Sequence, residues 1–315
     1  MNLSKAGIIG CGLVGATIAY TLMQNSLFRE IVLVDIDKDK AEGEAMDLNH
    51  GIPFARPVKI YAGDYSSLKD AGVIIITAGA GQKPGETRLD LVNKNVGIFK
   101  QMIPGITEHV DDAILLVVSN PVDILTWVTL KLSGFKENHV LGSGTVLDSG
   151  RLKYVIGEHL SVDPRSVHAF IIGEHGDSEV TAWSGVNVSG IPVNQFCEMR
   201  GYETHSENRS KLSDMVKNSA YEIIDRKGAT YYGIAMAVRR ICESIVNNEK
   251  SILTVSSMQH HYYEADGVCI GMPSVVGSDG VEQVVCIELD VQEAELLKKS
   301  VKALDNVINS INLDK

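Results

Sequence analysis

No C-x-x-C pair occurs in the chain: its five cysteines, Cys11, Cys197, Cys242, Cys269 and Cys286, stand singly. That spacing suggests neither a zinc site nor a thioredoxin-type redox pair, and an odd number cannot all be joined in disulfides. Reduced thiols, as in a cytoplasmic protein, are the expectation. Positive charge is scarce too. The chain has 29 Lys and Arg against 40 Asp and Glu, a formal net charge of −11, which argues against nucleic acid or an anionic membrane as partner. No apolar run approaches the ~20 residues that a membrane-spanning helix needs. There are no repeats and no low-complexity linker. Residues 1–5 lack a basic segment followed by an apolar run, so no signal peptide is expected. What remains is 315 residues, 44% hydrophobic and 22% charged, an ordinary globular composition. On a prior of ~150 residues per domain this is about two domains. The acidic balance also sets a condition. An anionic substrate would be repelled by such a surface, so its pocket must concentrate arginine.

Short apolar runs alternate with helical patterns through the first half. The runs cover residues 6–9, 31–34, 58–61, 73–76, 114–118 and 139–141, with helical stretches such as 16–23 and 38–49 between them. Continuous apolar runs of this length suit parallel strands covered on both faces. The alternation implies right-handed βαβ crossovers. Six such strands predict an α/β fold, a Rossmann-type doubly wound parallel sheet. The βα rhythm stops near residues 142–144, which places a Rossmann domain at 1–143 and a second, mixed α+β domain at 144–315. In that second part, 167–172, 251–257 and 284–289 read as strands, and 183–193 as paired antiparallel strands. Residues 209–226 and 234–247 read as helices. A last helix opens with Asp290 and Glu293, a capping box, and carries one stripe of Leu297, Val301, Leu304, Ile308 and Ile311.

Gly10-Cys11-Gly12-Leu13-Val14-Gly15 is a G-x-G-x-x-G that follows a strand and opens a helix, the context in which the pattern marks a dinucleotide site. Gly10 makes the tight turn, Gly12 lets the backbone approach a pyrophosphate, and Gly15 allows close helix–strand packing. The helix N-terminus at Leu13 and Val14 offers N–H groups to the phosphates. Asp35 closes the second strand, 20 positions after Gly15, where an acid accepts hydrogen bonds from the ribose hydroxyls. A 2′-phosphate would meet negative charge there and no Arg follows, so NAD is expected rather than NADP.

In a sheet of order 3-2-1-4-5-6 the ligand crevice lies between strands one and four. The loop after strand four, residues 78–88, is therefore at the chemistry, and its Gly79, Gly81, Pro84 and Gly85 suggest a mobile lid. Residues 79–92 closely resemble the active-site loop of L-lactate dehydrogenases. So do Ser119-Asn120-Pro121-Val122-Asp123, the run from Gly144 to Arg151, and Gly173-Glu174-His175-Gly176-Asp177. The motifs stand in the family's order over essentially the whole chain. On them it is identified as a member of the lactate/malate dehydrogenase superfamily, of the bacterial lactate type.

That resemblance implies a role for each matching residue. His175 exchanges the proton, a task suited to a group titrating near neutrality, and Asp148 holds its imidazole. Arg151 grips the substrate carboxylate through a two-pronged contact, and Arg88 polarises the carbonyl. Asn120 orients substrate and nicotinamide, and Thr230 lines the pocket. From the residues alone, Asp148 is equally a helix cap, Arg151 equally its intrahelical partner at i and i+3, and Thr230 equally a cap. Gln82 faces the substrate's variable group. Malate enzymes carry arginine there, so neutral Gln82 favours pyruvate and L-lactate over malate or bulkier 2-hydroxy acids, which remain the alternative. The family further implies a cytoplasmic homotetramer and, in many bacterial members, activation by fructose 1,6-bisphosphate. The matching positions here are Lys153 and His168. Lysine lacks the fork geometry for phosphate, so a weaker response is expected.

Overall fold

The structure, a computed structural model, describes residues 1–81, 85–202, 205–262 and 264–313. Six parallel strands form its centre: β1 (Asn2–Ile9), β2 (Glu30–Val34), β3 (Lys59–Ala62), β4 (Ala71–Ile76), β5 (Ile114–Val117) and β6 (Val140–Gly142). Their spatial order is β3-β2-β1-β4-β5-β6, the doubly wound order expected. The crossovers run through α1 (Leu13–Asn25), α2 (Lys38–Gly51), α3 (Arg88–Thr107) and α4 (Val122–Ser133). Side chains alternate along the strands between two apolar layers. Ile9, Val32, Ile74, Ile76, Leu115 and Val117 pack with α3 and α4. Ile8, Ile31, Leu33, Val73, Ile75 and Leu116 pack with α1 and α2. β4 is buried at all six residues, which is why its apolar run is uninterrupted.

The second part opens with α5 (Val146–Leu160) and ends with α6 (Val193–Arg200), α7 (His205–Lys227), α8 (Tyr232–Val246) and α9 (Val291–Ile308). The sheet does not stop at the expected boundary. β12 (Ser251–Met258), β13 (Cys269–Gly277) and β14 (Gly280–Val284) extend it to nine strands among the described residues. β12 joins antiparallel to β6. The expected strand at 251–257 is β12. β13 was not expected: Gly271 and Pro273 interrupt its apolar pattern and read as turn residues. Pro273 has no N–H to give the ladder, while its carbonyl accepts the Val285 N–H at 2.7 Å. The strand expected at 284–289 lies earlier, at β14.

The single strand expected over 167–172 is two, β7 (Val167–His168) and β8 (Ile171–Ile172). They pair in different sheets, β7 with β10 (Asn187–Val188) and β8 with β9 (Val180–Thr181). β10 turns into β11 (Ile191–Pro192) through Ser189 and Gly190, both at positive φ, as a tight hairpin demands. The capping box of α9 forms as read: the Glu293 N–H donates to Asp290 and the Asp290 N–H to Glu293. Leu297, Val301, Leu304 and Ile308 are buried under it.

Candidate active site

The Gly-rich turn joins β1 to α1 where the strand order reverses. Gly10 has φ +98°, and a Cβ on Gly15 would stand 1.9 Å from the Gly10 carbonyl oxygen, so both positions require glycine. A Cβ on Gly12 would meet nothing within 4 Å, which leaves the N-terminus of α1 open to close approach. Leu13 is exposed and Val14 lines the adjoining cavity. Asp35 follows β2 and is half-buried. Its Oδ2 accepts the Cys11 N–H at 2.6 Å and its Oδ1 the Asp37 N–H at 3.0 Å. The acid is thus fixed against the glycine turn, and the residues fit a dinucleotide with free ribose hydroxyls. The Cys11 thiol is buried, and burial with the Asp35 charge pushes it up to about 12. It is a neutral packing group, inert as a nucleophile.

A cavity of ≈ 760 Å³ continues from this turn, lined by Gly79, Gly81, Asn120, Asp148, Arg151 and His175 among others. Asp148 is the third residue of α5 and is 2% exposed. It caps nothing. Its Oδ2 meets His175 Nδ1 at 2.7 Å, and its Oδ1 accepts from Arg151 Nη1 at 2.7 Å. Asp148 therefore meets the imidazole and its intrahelical partner Arg151 at once, one oxygen to each. With Nδ1 committed to Asp148, Nε2 is the ring nitrogen left to exchange a proton. Burial alone would lower the His175 pKa. The Asp148 charge and hydrogen bond outweigh it and, with Asp123 and Glu179, raise it to about 9. Asp148 is held below the usual carboxylate range: burial opposes this, but the His175 and Arg151 charges prevail.

Successive backbone N–H groups fix the histidine. That of Gly173 donates to Gly271 of β13 at 2.9 Å. Glu174 N–H donates to Ser300 Oγ of α9 at 2.8 Å, and His175 N–H to Asp123 Oδ2 of α4 at 2.8 Å. A Cβ on Gly271 would lie 2.7 Å from Thr145 Oγ1 and 3.0 Å from the Gly173 carbonyl oxygen. The glycine that hid β13 is therefore what lets the histidine loop approach it. Asp123 is 2% exposed, and burial pushes its carboxyl up to about 6.

Asn95 of α3 also went unmarked. It is 1% exposed. Its Oδ1 accepts the Ala80 N–H at 2.8 Å, and its Nδ2 donates to Ala80 O at 3.2 Å and Asn120 O at 2.8 Å. One amide thus ties the loop after β4 to the loop after β5. The available signal was a polar residue on an otherwise apolar face with Val92, Val96 and Phe99. Other expected residues stand apart. Thr230 lies two residues before α8, whose N-cap is Tyr231, and is not among the cavity's described lining. Lys153 lines a second cavity of ≈ 440 Å³ with Arg240. Burial, and then Arg240, lower its pKa. His168 is exposed on β7. Gln82 and the Arg88 side chain lie outside the described residues; the Arg88 backbone opens α3. Among the described residues, no group of three or more His, Cys, Asp or Glu is placed to hold a metal ion, and no helix is long and apolar enough to cross a membrane.

A glycine turn with a ribose acid, and a histidine–aspartate pair beside an arginine in the same crevice, define an NAD-dependent oxidoreductase. Residues 4–142 match the model of the lactate/malate dehydrogenase NAD binding domain, and residues 145–313 that of the family's alpha/beta C-terminal domain. The chain belongs to the lactate/malate dehydrogenase family. It is 52% identical to an L-lactate dehydrogenase of Acetivibrio thermocellus over 99% of this chain and 98% of that protein. It is 51% identical to one of Thermoanaerobacterium saccharolyticum over 99% and 100%. Among solved structures, a minor L-lactate dehydrogenase of Enterococcus mundtii superposes with a TM-score of 0.95 at 43% identity, covering 98% of this chain and 99% of that one.

Proposed function

We propose that the protein is an NAD-dependent L-lactate dehydrogenase, which converts pyruvate, NADH and a proton to L-lactate and NAD⁺, and the reverse. The observation that carries the reading is Asp148 bridging His175 and Arg151 in a cavity continuous with the glycine turn. NAD, when bound, supplies or accepts the hydride. Gly10, Gly12, Leu13, Val14 and Gly15 take its pyrophosphate, and Asp35 its ribose. His175 gives its Nε2 proton to the carbonyl oxygen in reduction and takes it back in oxidation. Asp148 stabilises the resulting charge states, and Arg151 orients the substrate carboxylate. Arg88, Asn120, Thr230 and Gln82 complete the site by the family's pattern.

The same proposal includes a cofactor domain at 1–143, a catalytic domain at 144–315, and a cytoplasmic homotetramer. It also includes a weak response to fructose 1,6-bisphosphate through Lys153 and His168. Sedimentation velocity, and pyruvate saturation with and without the bisphosphate, check the last two parts.

The primary test is NADH oxidation followed by absorbance with pyruvate, oxaloacetate and branched 2-oxo acids. Pyruvate is expected to have the highest kcat/KM, and NADPH to support a far lower rate. Preference for oxaloacetate would reassign the chain to malate. No oxidation with any acid would leave a dinucleotide-binding protein without turnover.

A further inference from the structure

Glu179 takes no part in the chemistry above, yet it stands in the same cavity. It immediately precedes β9, is 7% exposed, and lines the cavity with Asp148, Arg151, His175 and Lys217. Its Oε1 is buried and has no hydrogen-bond partner. A bare, buried oxygen is costly on an ionised carboxylate, and more so beside a second carboxylate such as Asp148. Burial and then the Asp148 charge push the Glu179 carboxyl up to about 8, against the pull of His175, Lys217 and Arg151. Below that pH the group is an acid with an O–H to donate.

The charged groups that face it come from three places. Asp148 and Arg151 belong to α5, His175 to the neighbouring loop, and Lys217 to α7. At the rim, Tyr221 Oη donates to Asp177 Oδ1 at 3.3 Å. Arg151, Lys217 and protonated His175 already face Asp148, with Asp123 acting on the histidine and Asp177 also lining the cavity. A neutral Glu179 keeps a further negative charge out of a cavity that must receive a monoanion, in a chain whose net charge is −11. An ionised Glu179 would repel that monoanion.

We propose that Glu179 is a further substrate-binding residue: as a neutral carboxylic acid it donates a hydrogen bond to the carboxylate of the 2-oxo acid, and its ionisation weakens that binding. The inference rests on the reading of the chain as a lactate dehydrogenase. It assigns Glu179 a role in KM and in the alkaline limb, with hydride and proton transfer left to the groups already named.

Wild type, Glu179→Gln and Glu179→Met are compared as full-length protein with saturating NADH, following kcat/KM for pyruvate from about pH 6.5 to about pH 9.5. The wild-type alkaline limb should require two ionisations, belonging to the coupled pair His175 and Glu179. The Gln variant cannot ionise but keeps an N–H donor, so its limb should fit one ionisation. The Met variant loses the donor, and its KM at about pH 6.5 should rise about tenfold or more above that of the Gln variant, the worth of a hydrogen bond to a charged group. Infrared difference spectra should show a protonated-carboxyl band in the wild type at neutral pH that is absent from Glu179→Gln. The band reports the protonation state alone; a merely structural Glu179 would leave the number of ionisations in kcat/KM and the KM of the Met variant relative to the Gln variant unchanged. A single ionisation in wild type and Gln variant alike, or no such band, overturns the inference. If the Met variant fails to fold, the Gln variant and the band still decide. If the wild type fails to oxidise NADH with pyruvate, the functional reading is what has failed, and the band still reports the state of Glu179.

Discussion

At the scale of the residue, the site turns on the two oxygens of one carboxylate. Asp148 holds the imidazole with Oδ2 and the guanidinium with Oδ1, so a single side chain positions both the proposed proton donor and the proposed grip on the substrate carboxylate. Asp148→Asn removes the counter-charge and presents an amide that suits the wrong ring tautomer. The reductive kcat at neutral pH should fall by about 10² or more, and the alkaline limb should move to lower pH as His175 loses its main support. The pH–rate profile checks this; an unshifted limb would refute the pairing. Substrate choice is argued at the same scale. A second substrate carboxylate opposite neutral Gln82 is an unpaired buried charge, which arginine would match with two prongs. Gln82→Arg should therefore move the oxaloacetate-to-pyruvate ratio of kcat/KM by at least about tenfold. Steady-state kinetics with both acids measure it, and a smaller change places Gln82 away from the variable group.

Among elements, position is set by groups that never touch substrate. α3 contributes Asn95, which bonds the loops after β4 and β5 to each other. Asn95→Ala would leave the Ala80 N–H and the Asn120 carbonyl without this partner. A cost of about 2–4 kcal/mol in unfolding free energy is expected, together with a raised KM for NADH. Urea unfolding and NADH saturation test both; a loss of stability with unaltered KM would confine Asn95 to the core. α1, α2, α8 and α9 were legible because capping residues and apolar periodicity are local properties. β13 was not, since its Gly271 answers to Thr145 and Gly173, far away in sequence.

For the whole molecule, buried titratable groups couple folding to pH. Relative to the unfolded chain, His175 is raised from 6.5 to about 9 and Glu179 from 4.5 to about 8. Each binds more protons folded than unfolded across part of the window between about pH 5 and 9, so stability falls as pH rises there. His175 stabilises fully below about 6.5, and that contribution is lost on passing 9. Glu179 contributes a growing penalty from about 4.5 to 8. The thiols of Cys11 and Cys242, pushed up by burial, act in the same direction in more alkaline solution. The midpoint of urea unfolding at fixed protein concentration should drop from about pH 6.5 to about pH 9, and less so in Glu179→Gln. A flat or rising midpoint would contradict these protonation states.

The sequence by itself determined the parallel sheet and its order, the cofactor turn, and the residue types of the chemistry. Apolar runs, glycine offsets and contiguous motifs are readable without knowing what touches what. Only the tertiary structure decided that Asp148 serves His175 and Arg151 together, that β12 to β14 continue the first sheet, and that Asn95, Asp123 and Glu179 belong to the site. Asn95 and Asp123 are polar residues beside apolar ones within helices, and Glu179 ends a polar loop before β9. Their meaning lies in partners that folding brings from other elements: Ala80 and Asn120 for the first, the His175 N–H for the second, and Asp148 for the third. A pattern along one element cannot encode which distant backbone group will stand within 3 Å of it.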